Sequence, residues 1–335
     1  TLEVEQGKRM RALRWLSYDE IRKDSDADFY RAMLFLPLGQ YPSGTIVAPK
    51  AVFHADSELV FSVTLGASWR ALDESAPYSE FDWASPQELR LLASMLLCEK
   101  RDDALIRYYP VVKYSPRIAT RSLNLGSEQT IAAIKDLLLH TAKRPRSHHG
   151  DEVISECLAG DYSLVEPEHY NLNRIDEFWR NIDVRNYVLM RGLYALIKAE
   201  MLACRREFWE EAIIVSYIAL EATFQLVLRK LSESGVKNPS SQDAARWLHE
   251  NFDKPFGLPA PTVEKYFEEF YEDRIRTLHP SSRFGESPYA PIMHDDFVHL
   301  RRALREIFAF LVSGTHGPDF LDDVRRHGDE RQRPT

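Results

Sequence analysis

The strongest constraint on the fold is an apolar rhythm in the C-terminal half of the chain. Ile213, Tyr217, Leu220, Phe224, Val227 and Leu231 recur at steps of four and three, and Ile214, Ile218 and Leu228 widen the stripe. That spacing puts all of them on one side of a helix and buries most of its surface. Phe297, Leu300, Leu304, Ile307 or Phe308, and Leu311 repeat the rhythm near the end of the chain. Between the two, Val263, Phe267 and Phe270 form a shorter apolar line, and a further helix is expected near Ser241–Asn251. No one of these stripes is buried by its own helix, so residues 205–314 are expected to pack as a helical bundle.

The N-terminal half reads differently. In Leu59–Leu65, Leu59, Phe61, Val63 and Leu65 alternate with Val60, Ser62 and Thr64, the period of a strand. Pro37, Gly39, Pro42, Gly44 and Pro49 punctuate residues 29–65 as turns between short strands. Ser85, Pro86 and Glu88 are placed as the cap, first residue and reciprocal acid of a helix. Residues 104–114 read as a strand and 127–141 as a helix. The expectation is α+β overall: a mixed α/β domain over 1–150, a polar joint at 142–173, and a helical region over 174–314 holding the bundle. Residues 315–335 are expected as a frayed, charged tail.

Continuing the line of Val263, Phe267 and Phe270 by one turn reaches Arg274, a guanidinium where the pattern calls for a core residue. That is costly unless the cation is paired or lines a polar cleft. His279 follows five residues later and is itself followed by Pro280, which drives the residue before it out of the helical region. The helix is therefore expected to end near Leu278, with His279 swinging back toward Arg274 and Arg276 beside them.

The apolar helix IALEATFQLVL with its internal Glu221, the helix ending in RIRTLHP and the amphipathic closing helix together resemble the HEPN superfamily, in its Apea-like form. The resemblance covers residues 205–314. It implies a small helical bundle, metal-independent endoribonuclease chemistry at Arg274 and His279, no cofactor, and a homodimer. A toxin or phage-defence role goes with it, the N-terminal domain serving as sensor or restraint. Cleaving members often carry Asn or Asp directly after the Arg; Ile275 stands there instead. The alternative is accordingly a catalytically silent bundle that binds RNA or nucleotide, or acts as a dimerisation scaffold.

The chemistry suits the residue types. When a ribose 2′-hydroxyl attacks the neighbouring phosphate, one group must take its proton, another must protonate the leaving 5′-oxygen, and a cation must offset charge on the phosphate. A histidine such as His279 belongs to the residue type whose ordinary pKa suits proton transfer near neutrality, and Arg274 carries a fixed, forked charge. A single pair supplies one imidazole, so a symmetric dimer is expected to bring two pairs into one cleft. Arg276 and Arg283 are the accompanying candidates for RNA contacts. The plainer reading makes Arg274 a buried partner of Glu221 and His279 a helix-terminal cap.

Composition sets outer bounds. Hydrophobic residues make up 44% and charged residues 28%, as in soluble globular proteins. The net charge of −8 argues against a protein that coats nucleic acid by bulk electrostatics. Residues 205–313 hold 14 Lys and Arg against 17 Asp and Glu, with Arg301, Arg302 and Arg305 forming either a basic groove or a solvated face on the closing helix. Cys98, Cys157 and Cys204 show no paired spacing, so neither a disulfide framework nor a thiolate zinc site is expected. No apolar run reads as a membrane span, and the polar start TLEVEQGKRMRALRW reads as cytoplasmic. Ser147–Glu152 (SHHGDE) reads as a surface loop rather than a metal site. His294, Asp295, Asp296 and His299 read as the polar start of a helix. Gly39–Thr45 imitates a phosphate loop but has Thr45 where the lysine belongs.

Overall fold

The computed structural model describes residues 29–37, 39–66, 84–100, 117–119, 123–142, 162–258 and 294–332. The chain is α+β and divides into two compact units, Thr1–Arg180 and Asn181–Thr335. Residues 104–114 and 261–278 lie outside the described residues.

In the first unit, strands β1 (Phe29–Leu34), β2 (Gln40–Pro42), β3 (Gly44–Ala48), β4 (Ala51–Ala55) and β5 (Val60–Gly66) precede helix α1 (Pro86–Cys98). Strand β6 (Arg117–Ala119), helix α2 (Glu128–Ala142), strand β7 (Ser163–Val165) and helix α3 (Ile175–Asn181) follow. The main sheet runs β3-β4-β5-β1-β6 with antiparallel neighbours. Pro49 and Lys50 turn β3 into β4, and Lys50 takes φ 63°, the left-handed geometry of a tight turn.

The alternation of β5 is present, but both of its faces are buried. Phe61 and Val63 join Tyr30, Ala32, Leu34 and Val52 against Ile131, Ile134 and Leu138 of α2. Ser62 and Thr64, expected on a polar face, are also buried, because α1 covers that side. Arg31, which alternates with Tyr30 and Ala32, pairs there with Glu88 of α1 at 3.0 Å. Helix α1 starts as its sequence requires: Ser85 Oγ accepts from the Glu88 amide at 3.3 Å and Glu88 Oε2 accepts from the Ser85 amide at 2.6 Å.

The division after Arg180 falls later than the polar joint, since residues 162–180 pack with the first unit. Strand β7 pairs with β2, Tyr170 bridges to Glu99, and Arg90 lies over Trp179 and donates to the Arg180 carbonyl at 3.2 Å.

The second unit holds α4 (Tyr187–Ala203), α5 (Trp209–Glu233), α6 (Ser241–Leu248), α7 (His294–Ser313) and α8 (Pro318–Gln332). Val227 of α5, Ala244 and Leu248 of α6 and Ile307 of α7 share one apolar core with Phe224, Leu228, Leu231, Trp247, Phe252 and Leu311. These are the stripes read from the sequence. Both Ile307 and Phe308 are buried, so α7 is apolar on a broader face than one stripe.

Two features extend the bundle beyond 205–314. Helix α4 packs along α5, which presents a second line to it: the small residues Ala212, Ser216, Ala219 and Thr223, all buried. The buried hydroxyls bond back to their own helix, Ser216 to the Ala212 carbonyl at 2.8 Å and Thr223 to that of Leu220 at 2.6 Å. At the tightest approach stands Gly192, where an added Cβ would meet Phe308 Cζ at 2.6 Å and Ala222 Cβ at 2.8 Å. The residues after Gly314, expected to fray, instead form α8, held by Phe320, which is 5% exposed, and by Asp323, which accepts from Arg302 at 2.7 Å.

Among the described residues, the Arg206–Glu233 segment is long and apolar enough to cross a membrane by length and composition alone. Half of its most apolar window is buried within the protein, the state of a central bundle helix.

Candidate functional site

The RIRTLH segment, with Arg274, Arg276 and His279, lies outside the described residues, as does Arg283. What is described is the frame on either side of it. Among the described residues, the helix that precedes the segment in the chain is α6 and the helix that follows it is α7, and both pack on α5 through the common core. Glu221 sits on an exposed face of α5, with Ala222 and Thr223 buried next to it.

Two of the three arginines of the closing helix, Arg301 and Arg305, are buried and so do not belong to a solvated face. Arg301 is completely buried and its Nε donates to Glu200 Oε1 of α4 at 2.7 Å. Glu200 is likewise buried, and its Oε2 has no hydrogen-bond partner among the described residues. Arg302 is tied to Asp323 and, at 3.4 Å, to Glu306, while Arg305 is 7% exposed. Arg301 and Arg305, four apart, share the buried flank of α7 with Phe297, Leu304 and Phe308, whereas the Arg302 side chain stays partly exposed. Their sequence signal, a basic cluster, could not distinguish surface from interior.

The end of α6 is unusual. His249–Asp253 form a π-helical turn, in which the Lys254 amide bonds the His249 carbonyl five residues back. Pro255 follows and has no amide hydrogen to give, so the α-helical bond to the Asn251 carbonyl cannot form. His316, from the α7–α8 link, bonds that carbonyl instead. Within the turn, His249 Nδ1 lies 3.3 Å from Asp253 Oδ2. Burial pushes the Asp253 carboxyl up, with the His249 bond opposing. Phe252 projects the other way, against Trp247, Phe310, His316 and Phe320. His316 stacks on Phe320 with centroids 4.0 Å apart, and burial pushes its pKa down despite the bond to Asn251.

The first unit carries a separate polar chain. Thr45 and His54 are cross-strand partners, with Thr45 Oγ1 2.8 Å from His54 Nδ1, and His54 Nε2 is 3.2 Å from Asp56 Oδ2. Lys135 of α2 binds both Asp56 and Glu58. Burial raises the Asp56 carboxyl, but bonds from Lys135, the Glu58 and Leu59 amides and His54 outweigh it and hold the group at about 2. Lys135 is raised: the two carboxylates outweigh its burial. This network fastens α2 to the β4–β5 turn. It also places Thr45 in a strand and not in a loop leading to a helix, so Gly39–Thr45 is not a phosphate cradle.

The remaining sequence signals fall as follows. Helix α7 does begin at His294, and His299 is exposed; Ser147–Glu152 lies outside the described residues. Cys98 and Cys204 are not joined in a disulfide. Among the described residues, no three His, Cys, Asp or Glu side chains are grouped to hold a metal ion. Comparison of the chain with protein-family models, curated proteins and solved structures found no match.

Proposed function

We propose that the chain is a HEPN-like, metal-independent endoribonuclease, a toxin or phage-defence effector of the cytoplasm whose first unit senses a signal or restrains the second. The observation that carries the reading is the chain order of the helical unit. In sequence, RIRTLHP falls between α6 and α7, two helices that pack on α5 around a common apolar core. Arg274 is the phosphate-binding cation and His279 a proton-transfer group, with Arg276 and Arg283 as further contacts to RNA. Two chains pair through the helical unit.

Full-length protein incubated with single-stranded RNA in EDTA should yield fragments ending in 2′,3′-cyclic phosphate and 5′-hydroxyl. DNA, which lacks the attacking hydroxyl, should stay intact. RNA left whole under every condition would overturn the proposal. The second reading, a silent bundle that binds RNA or serves as a scaffold, is favoured by Ile275 and by the burial of Arg301 and Arg305, which removes cations from the surface of α7.

A further inference from the structure

We propose that the solvent face of α4 is the RNA-binding surface of the helical unit, its cations holding the phosphates of a single strand and Tyr187 stacking on an unpaired base. The inference rests on the RNA reading above, in its cleaving or its silent form, and names the part of the unit that holds the strand.

Helix α4 has two unlike sides. Leu189, Met190, Leu193, Leu196 and Ile197 are buried, and Glu200, the one carboxylate of the helix, is buried against Arg301. Tyr187, Arg191, Tyr194 and Lys198 follow at steps of four, three and four, so they share a stripe about 16 Å long. Arg191 and Lys198 are exposed, and Tyr187 is 50% exposed. The charge that α4 shows to solvent is therefore of one sign. Arg229 of α5, also exposed, adds to it at the start of α4, where its Nη1 donates to Asn186 Oδ1 at 3.3 Å.

These cations are set apart by what they lack. Elsewhere in the unit Arg246 pairs with Asp243, Lys254 with Glu250 and Arg325 with Asp322. Among the described residues, Arg191, Lys198 and Arg229 meet no carboxylate. Arg191 and Lys198 lie instead over the Tyr194 ring, 5.7 and 5.3 Å from its centroid. In a chain of net charge −8, an unneutralised stripe is a local attraction for a polyanion. The exposed Tyr187 ring then selects among polyanions. Its face suits an unpaired base, whereas bases stacked in a duplex and lipid headgroups offer nothing to stack. A membrane is disfavoured for a second reason: the apolar side of α4 is already buried in the bundle, so the helix has no face left to insert.

The test uses full-length protein and a fluorescein-labelled single-stranded RNA with 2′-O-methyl groups. These block attack on the neighbouring phosphate, so anisotropy reads binding apart from any cleavage. The double variant Arg191→Gln/Lys198→Gln should melt like the parent and bind about tenfold or more weakly at about 0.1 M salt, with the slope of log Kd against log salt smaller by about 1.4. Tyr187→Ala should weaken binding about tenfold and Tyr187→Phe hardly at all, since the ring and not the hydroxyl stacks. Arg325→Gln, which removes one charge from α8, should bind as the parent does. A double variant with the parent's affinity and salt slope would overturn the α4 surface and leave the RNA reading standing. A parent that binds no RNA would overturn both. Binding to phosphatidylserine vesicles in place of RNA, lost in the same double variant, would overturn RNA as the occupant. A parent that binds RNA through α4 but leaves unmodified RNA whole would sustain this surface and reject only the nuclease.

Discussion

Removing either member of the Glu200–Arg301 pair takes an ion-pair partner from a charge in the interior of the helical unit, since both side chains are fully buried. Breaking such a pair typically costs about 3–5 kcal/mol. Arg301→Met alone and Glu200→Leu alone should each lower the urea midpoint sharply. The double variant, which removes both charges and keeps the volume apolar, should recover most of the loss, and a double-mutant cycle measures the recovery. Additive losses would show that each residue is held by other groups. Gly192 makes a second demand at this scale. A methyl group there meets Phe308 and Ala222 inside 3 Å, so Gly192→Ala should destabilise the protein by about 1–3 kcal/mol despite alanine's better helix propensity. Chemical denaturation would show it, and a neutral result would mean that the Phe308 ring can move aside.

At the scale of elements, α8 depends on one histidine. His316 is held below its ordinary pKa by burial between Phe310 and Phe320, so the folded state prefers it neutral. A depressed folded pKa contributes stability above the unfolded value of about 6.5, and that contribution is lost as pH falls through it toward the folded value. The opening free energy of Pro318–Gln332, taken from hydrogen-exchange rates after division by the intrinsic rate at each pH, should therefore fall between about pH 7 and pH 5, and His316→Phe should abolish the fall. An opening free energy independent of pH in the parent would contradict the assignment. The same elements show what the sequence made legible. The α5 and α7 stripes and the α1 capping box announce themselves, because periodicity and cap chemistry are local. The α4–α5 contact does not: Ala212, Ser216 and Ala219 look bland until Gly192 lets a backbone approach. Helix α8 was hidden by its charge, since one Phe320 in an aromatic cluster outweighs an otherwise polar composition. Arg301 and Arg305 read as surface because the Glu200 partner of Arg301 and the burial of both side chains are tertiary facts.

For the whole molecule, the account makes two chains the working unit, with Arg274 and His279 from each facing a common cleft. Sedimentation at micromolar concentration should give the mass of a dimer, and a strict monomer, with or without RNA, would move the reading to the binding or scaffold alternative. The candidate site is legible only as a motif, because residues 261–283 lie outside the described residues. The most direct measurement compares the parent and His279→Ala, both confirmed folded by circular dichroism, on single-stranded RNA in EDTA. The account predicts that the parent cleaves, leaving 2′,3′-cyclic phosphate ends, and that His279→Ala does not. Cleavage that persists in His279→Ala, or is absent from both, would contradict it.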